Sequence, residues 1–479
     1  MPDTDVRKPI LVVDLDGTLI RSDMLLESFW LSFARNWQTP LWALAGLAHG
    51  RAALKARLAL TGAPDPAALP YTPEMLDHIR SWREAGGRVA LVTAADQSLA
   101  EAIAAHLGLF DEVHGSNGRT NLKGQAKAAF LRERFGDRGY VYAGDSTADL
   151  PVWEGATTAV TVGVPPALRA RVTTLHPDAT HLAPPTSMLP AAIKAMRPHQ
   201  WFKNVLIFLP MIAAHHFTAQ AFIHGLLAFL AFSLVASSVY LLNDLLDLAS
   251  DRAHPRKRNR PLASGKLPLL RGMMMVPGLL LAGLLIALTL PPLFLLVLAG
   301  YYVLTIAYSL WLKRQPILDI CALGSLYTFR VAAGGAATDL PLSVWLLAFS
   351  AFLFFSLAAV KRQAELVDMS QRGIDSAAGR GYRVGDLPVV TQMATAAGFL
   401  SVLVLMLYFN QPTVLQQYSS PAILWGACLV LLYWIARMIL MAQRGLMDDD
   451  PTVFAARDPI SRAAFLIIFA AIALGASLP

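Results

Sequence analysis

The sequence predicts two folds in one chain: an N-terminal α/β domain interrupted by a long insertion, then an all-α polytopic membrane bundle of about nine transmembrane helices. Three observations carry this. Hydrophobic residues fill 55% of the 479 positions, too large a share for an ordinary soluble chain. The excess is confined to the part after Phe202, where long apolar runs follow one another, whereas the part before about residue 195 alternates short apolar strands with polar helical stretches. Pro165-Pro166 and the Pro-, Thr- and Ala-rich stretch from His176 to Pro190 read as a linker. The expected boundaries are 1–185 for the α/β domain with its insertion over about 22–75, 186–203 for a linker and interfacial segment, and 204–479 for the membrane domain.

The net charge of +7 comes from Lys and Arg clustered beside apolar segments, which points to anionic lipid and phosphate ligands rather than nucleic acid. Two cysteines, Cys321 and Cys428, lie within apolar runs, so no disulfide framework is expected. The stretch Met1 to Pro9 is polar and charged, unlike a signal peptide.

Ile10-Leu11-Val12-Val13 ends in Asp14-Leu15-Asp16-Gly17-Thr18, the pattern of a buried strand that delivers two aspartates to a loop. A second strand, Arg88 to Val92, ends at Thr93, and a third, Tyr140 to Ala143, ends in Gly144-Asp145-Ser146-Thr147-Ala148-Asp149. Lys123 opens a helical stretch between them. Chemically this is a phosphoryl-transfer set: a carboxylate nucleophile, a second carboxylate as acid/base, a hydroxyl and an ammonium for the phosphoryl oxygens, and more carboxylates for Mg²⁺.

One D-x-D pair is weak evidence, but four ordered motifs at strand ends resemble the haloacid dehalogenase (HAD) superfamily of phosphatases, over about residues 9–185. The resemblance implies a Rossmann-like domain with Asp14 as nucleophile and Asp16 as general acid/base. It further implies Thr93 and Lys123 as phosphate ligands, and a Mg²⁺ site drawing on Asp14, Asp16, Asp145 and Asp149. The plain alternative is a scaffold that keeps the motifs without turnover. The insertion at 22–75 resembles the helical cap of that superfamily and carries Phe29, Trp30, Phe33, Trp37 and Trp42, with Arg35, Arg51, Lys55 and Arg57 nearby. These aromatics are expected to form the small core of the cap; the other reading is a surface resting on the bilayer, for which Trp with basic residues is the usual composition.

In the second half, runs long enough to cross number about nine, at roughly 204–218, 220–242, 270–289, 291–311, 316–337, 341–360, 388–409, 421–441 and 460–478. Arg197-Pro198-His199-Gln200-Trp201-Phe202-Lys203-Asn204 stands where the chain enters the membrane. Basic residues also crowd the loops after the second, fourth, sixth and eighth runs (Arg380 among them), while the connections near His215, Pro291, Thr338 and Gln411 have none. By the positive-inside rule this is a multi-pass inner (plasma) membrane protein with its α/β domain in the cytosol and Pro479 on the far side. The polar clusters Asn243–Ser264, Tyr308–Asp319 and Lys361–Arg383 then fall at one membrane face, where a single phosphate-binding site could share them.

The most informative stretch is Asn243-Asp244-Leu245-Leu246-Asp247-Leu248-Ala249-Ser250-Asp251. At about 100° per helical residue its four polar ligands fall on one stripe. Each acid at a helix centre costs roughly 2.5–3.5 kcal/mol in a membrane, so several together need cations, and Mg²⁺ bridging to a diphosphate is the natural partner. The alternative is a solvated helix end paired with the arginines that follow.

With the basic stretch Asp251 to Gly265, this motif resembles the first signature of the UbiA-type intramembrane prenyltransferase superfamily. Tyr308 to Asp319 resembles the second signature but has one carboxylate, Asp319, where the usual pattern has two. Arg197 to Asn204, Asp251 to Pro255, and Lys361-Arg362-Gln363-Ala364-Glu365-Leu366 resemble the decaprenyl-phosphate phosphoribosyltransferase branch, whose enzymes move ribose 5-phosphate from phosphoribosyl diphosphate onto a polyprenyl phosphate.

That resemblance implies Mg²⁺ on Asp244, Asp247 and Asp251, with Asn243 and Asp319 as further ligands, and catalysis by the three aspartates. Lys257, Arg258 and Arg260 would neutralise the leaving diphosphate, while Lys203, Tyr308, Lys313, Lys361 and Arg362 are candidates for the acceptor phosphate or the ribose 5-phosphate. The lysines and Arg362 read equally as headgroup anchors. The HAD domain would then remove the ribose 5-phosphate, giving polyprenyl-phosphoryl-ribose, a cell wall precursor. Two rivals remain: a prenyl diphosphate:aromatic acceptor transferase with an independent phosphatase, and a non-catalytic lipid-binding or assembly protein. A homo-oligomer is compatible with each.

Overall fold

The computed structural model describes residues 9–47, 50–117, 121–183, 187–375, 381–416, 418–447 and 450–477. The start of the chain, Arg380, Pro479 and the side chain of Arg51 lie outside the described residues. The chain divides into two compact units, Met1–Met196 with Tyr240–Pro277, and Arg197–Val239 with Gly278–Pro479. The acidic motif, assigned to the membrane domain from sequence, therefore packs with the N-terminal residues.

In the first unit β1 (Ile10–Val13) leads into a cap of α1 (Met24–Arg35), α2 (Thr39–Leu47) and α3 (Arg51–Thr61), within the expected insertion. There follow α4 (Pro73–Glu84), β2 (Val89–Asp96), α5 (Gln97–Leu107), β3 (Glu112–Ser116), α6 (Gln125–Phe135), β4 (Tyr140–Gly144), α7 (Leu150–Glu154), β5 (Ala159–Val162), α8 (Pro166–Leu175), β6 (Thr180–Leu182) and α9 (Met188–Met196). The strands are all parallel in the order β3-β2-β1-β4-β5-β6. Helices cover both faces, which is why β1 reads as an unbroken apolar run. Leu11 and Val13 enter one core with Ile79 and Ile103, and Ile10 and Val12 enter the other with Leu131 and Trp153. The order reverses between β1 and β4, so the connections leaving their C-terminal ends diverge and open a crevice there. β2 is longer than expected and runs through Thr93 to Asp96.

The remaining helices are α10 (Leu209–Ala213), α11 (Ala219–Leu246), α12 (Leu248–Ala253), α13 (Leu269–Ala287), α14 (Pro292–Leu310), α15 (Leu318–Thr338), α16 (Val344–Gln371), α17 (Leu387–Phe409), α18 (Pro412–Leu415), α19 (Ile423–Gln443), α20 (Pro451–Arg457) and α21 (Pro459–Ser477). Among the described residues seven are long and apolar enough to cross a membrane (α11, α13 to α17 and α19), or up to eight if α20 and α21, bent by 84°, make one span. The first expected run, 204–218, is no such helix. It forms a 3-10 stretch, Pro198–Phe208, and the short α10. Pro210, inside that run, lacks the N–H that a continuous helix needs. Within the second unit the 3-10 stretch is pinned by Trp201 Nε1 donating to Ser237 Oγ (2.9 Å) and Asn204 Nδ2 to Ser233 Oγ (2.9 Å). It lies so close to α15 that a Cβ on Gly334 would sit 1.9 Å from the Ile207 carbonyl oxygen.

Candidate active sites

Asp14 leaves the end of β1 with its N–H donating to the Ala143 carbonyl (3.0 Å). Its Oδ1 accepts from Leu15 N and from Lys127 Nζ, each at 2.8 Å. Lys127 also donates to the Tyr142 hydroxyl (3.0 Å), which donates to Asp149 Oδ1 (2.9 Å). The other Asp149 oxygen accepts from Ser146 N and Oγ, both at 3.1 Å, so Asp149 is fixed by its own loop. One carboxylate oxygen each from Asp14, Asp145 and Asp149 lies within 4.8 Å of the others. Gly17 makes room for this: its φ is +77°, and a Cβ there would stand 2.1 Å from Asp145 Oδ2.

Burial pushes the Asp14 carboxyl up although Lys127 pulls the other way, and burial together with the Asp14 and Asp149 charges pushes Asp145 well above the carboxylate range. Asp16 is pushed up to about 8, first by burial and then by Asp23 and Asp14. Three crowded carboxylates in a buried crevice ask for a small oxygen-loving cation, and this donor set fits Mg²⁺. Asp16, expected in the metal set, lies outside that group of three and accepts from Met24 N (2.9 Å).

Thr93 is buried, its hydroxyl accepting from Ala95 N (3.0 Å). Lys123, the expected phosphate ligand, is exposed, and the lysine that reaches Asp14 is Lys127, four residues on in α6. A second cation comes from the cap: Lys55 Nζ donates to the Ala94 carbonyl (2.5 Å) and Asn121 Oδ1 (3.1 Å). Burial lowers the Lys55 ammonium, against the pull of Asp16. In the sequence Lys55 is one of several basic residues near the cap aromatics, and Lys127 carries no motif that marks it.

The same unit contains the acidic motif. Asp247 N donates to the Asn243 carbonyl and Asp251 N to the Asp247 carbonyl, each at 2.8 Å, so the i, i+4 stripe survives although Asp247 (φ −94°, ψ 11°) stands between α11 and α12. Asp244 and Asp251 are buried and share one guanidinium: Arg260 Nη1 donates to Asp244 Oδ1 (3.0 Å) and Asp251 Oδ2 (2.5 Å). Burial raises the Asp251 carboxyl, and Arg260 opposes it. Here Arg260, expected on the leaving group, is the cation between the two acids. Asn243 Oδ1 is buried without a hydrogen-bond partner among the described residues, an oxygen that a cation could use, and Asp247 is half-buried. Lys257 and Arg258 are exposed.

In the second unit, Asp319 is fully buried and both its oxygens are taken, by Arg362 Nη2 (2.5 Å) and the Tyr382 hydroxyl (2.6 Å). This arrangement does not present Asp319 as the expected metal ligand. Arg362 gives Nη2 to Asp319 and Nη1 to Glu365, while its buried Nε has no hydrogen-bond partner among the described residues. Lys203 pairs with Asp450. Burial opposes ionisation of Asp450, but Lys203 and Lys361 outweigh it and hold its carboxyl well below the usual range. Tyr308 is within electrostatic reach of Lys361 and Arg362, and Lys313 is half-buried in the loop after α14. Arg330, unremarked in the sequence, is buried in α15 between the rings of Phe232, Tyr301 and Tyr327, its Nε donating to Asn204 Oδ1 (2.8 Å). An ionisable residue inside a span is the signal that would have found it.

The model of the UbiA prenyltransferase family matches residues 205–457, and that of the haloacid dehalogenase-like hydrolases matches residues 11–154. The chain belongs to the UbiA prenyltransferase family and carries an N-terminal HAD-like domain. It is 41% identical over 467 residues to the uncharacterised protein y4nM of Sinorhizobium fredii, covering 95% of this chain and 89% of that one. To the nodulation protein NoeC of Azorhizobium caulinodans it is 36% identical over 282 residues, 59% of this chain and 91% of the relative. To the decaprenyl-phosphate phosphoribosyltransferase of Mycolicibacterium smegmatis it is 40% identical over 202 residues, 40% of this chain and 64% of the relative.

Proposed function

We propose that the protein is a bifunctional membrane enzyme that transfers 5-phosphoribose from phosphoribosyl diphosphate to a polyprenyl phosphate and then removes the 5-phosphate. The observation that carries the two-step reading is that one compact unit holds both the Asp14 cluster and the Asn243–Asp251 motif. The 40% identity to a decaprenyl-phosphate phosphoribosyltransferase supports the choice of donor and acceptor.

In the transfer, an oxygen of the lipid phosphate bonds to the anomeric carbon, and the bond to diphosphate breaks with its electron pair leaving on the diphosphate. Asp244, Asp247, Asp251 and Asn243 would hold Mg²⁺, which supplies charge neutralisation for that leaving group. Arg260, Lys257 and Arg258 add fixed positive charge where negative charge develops. Lys203, Lys361, Tyr308 and Lys313 are assigned to the acceptor phosphate or the ribose 5-phosphate. Arg362 holds Lys361's stretch of helix in place through Asp319.

In the hydrolysis, Asp14 attacks the phosphorus of the 5-phosphate while Asp16, protonated near neutral pH, gives its proton to the departing ribose oxygen. Asp16 then takes a proton from the water that releases phosphate from Asp14. Lys127 orients Asp14, Thr93 and Lys55 face the phosphoryl oxygens, and Asp14, Asp145 and Asp149 would hold Mg²⁺. The proposed setting is the inner membrane with the HAD-like domain in the cytosol, as the distribution of basic loops favours.

The test supplies the detergent-solubilised full chain with phosphoribosyl diphosphate, polyprenyl phosphate and Mg²⁺, and weighs the lipid product. Wild type is expected to yield polyprenyl-phosphoryl-ribose, and Asp14→Asn to accumulate the form still carrying the 5-phosphate. No such accumulation sinks the two-step reading, and product formed only from a prenyl diphosphate and an aromatic acceptor replaces it with prenylation.

A further inference from the structure

The aromatics of the cap separate into two groups. Trp30 of α1 is buried, and with Leu31 it lines a cavity of about 120 Å³ together with Leu245, Leu246, Leu248 and Ala249 from the end of α11 and from α12. The same helix is bolted there by a bidentate ion pair, Arg252 Nη1 and Nη2 to Glu27 Oε2 and Oε1 at 2.7 and 2.6 Å, with both side chains almost fully buried. Within this one unit, then, the cap is fastened to the place where a membrane span ends.

The other group points outward. Trp37 is 69% exposed, Leu41 60%, Leu44 66% and Trp42 37%. Leu41 and Leu44 lie three apart on α2 and share a face. On the adjoining α3, Leu60 is 87% exposed, and the guanidinium of Arg57 lies 5.7 Å from the Trp42 ring centroid. Arg35, also exposed, donates to the Thr61 carbonyl (3.2 Å) at the same end of the cap. Five large apolar side chains bordered by two arginines make the composition of an interfacial helix, with rings and aliphatic groups for the acyl boundary and cations for anionic headgroups.

We propose that α2 of the cap lies in the lipid–water interface of an anionic bilayer, and that this seats the phosphatase crevice on the membrane surface, facing a lipid-borne phosphomonoester. The occupant is a bilayer because the cap is clamped to the end of a spanning helix in its own unit, and because the rim of the patch is cationic. The claim about substrate rests on the phosphatase reading above; the claim about docking does not.

The full chain, in a Cys321→Ser, Cys428→Ser background, is reconstituted in nanodiscs of phosphatidylcholine with and without phosphatidylglycerol. A nitroxide on Leu44→Cys reports collision with oxygen and with a water-soluble nickel chelate, against a control on Glu133→Cys, an exposed position of α6. Leu44 is expected to favour oxygen, at a depth of about 5–10 Å below the headgroups, more so with the anionic lipid. A Leu44 label as open to nickel as the Glu133 control overturns the docking, and so does a label shielded from both reagents that cross-links to a second copy. Leu41→Glu with Leu44→Glu is expected to leave hydrolysis of soluble p-nitrophenyl phosphate unchanged and to slow hydrolysis of the lipid-borne substrate about tenfold or more, the membrane-surface contribution being lost. Equal rates on the lipid overturn the presentation role, whereas a wild type inert on p-nitrophenyl phosphate overturns the phosphatase reading and leaves the nitroxide result standing.

Discussion

Lys127 and Lys123 are four residues apart and stand in different surroundings. The buried ammonium of Lys127 contacts Asp14 and, through Tyr142, is joined to Asp149, while Lys123 is exposed. Lys127→Met is expected to lower the rate on a soluble phosphomonoester by about 100-fold or more, as removal of a preorganised charge at a reacting centre does. Lys123→Met should cost less than about tenfold on the same scale; the reverse order in a steady-state assay would return the role to Lys123. The carboxylates give a second expectation. Asp14, Asp16 and Asp145 all titrate higher in the fold than in an open chain, so between their ordinary range and about pH 8 the fold binds more protons than the unfolded chain. Metal-free stability from these groups therefore falls as pH rises through that window. Mg²⁺ competes with those protons, so its increment to the melting temperature should be larger at about pH 8 than at about pH 5.5. Calorimetry showing the opposite trend would remove the metal from this cluster. The aspartates are legible because they stand at the ends of short apolar runs; Lys127 is not, because it lies within a helix and its partner follows β1, far off in the chain.

At the scale of elements, α1 and α12 are joined by the Glu27–Arg252 pair, and Ser22 adds a hydroxyl to Glu27. Taking one partner away strands a buried charge, so Glu27→Ala should destabilise the chain by about 3–5 kcal/mol, whereas Glu27→Leu with Arg252→Leu should cost far less. Denaturation of the four members of this double-mutant cycle measures it; additive losses would mean the two side chains act independently. Neither residue drew notice in the sequence. Glu27 reads as one acid in an amphipathic helix and Arg252 as one base in a basic loop, and only folding brings them together. The run 204–218 teaches the same lesson from the other side: its composition suits a span, but Pro210 interrupts it and the 3-10 stretch before it sits close against Gly334.

For the molecule as a whole, the division into units departs from the order of the chain. Composition changes once, near Phe202, and invites a single boundary there, yet Tyr240–Pro277 packs with the N-terminal residues. A polar loop between two spans has no lipid to lie in and must find partners among soluble residues, which hydropathy does not specify. The two chemistries that the proposed sequence of reactions needs thus share one compact unit, although more than ninety residues separate Asp149 from Asn243 in the chain.

What the sequence by itself determined was local: a parallel α/β sheet from short apolar runs, a helical bundle from long ones, and the carboxylates at strand and helix ends whose spacing names their chemistry. Those follow from periodicity and from the cost of burying charge, both of which act over a few residues. Only the tertiary structure decided which charges meet. It set Lys127 on Asp14, Arg260 between Asp244 and Asp251, Arg362 on Asp319 and Arg252 on Glu27, because a buried ion is tolerable only beside a partner, and the partner's place depends on how the whole chain closes.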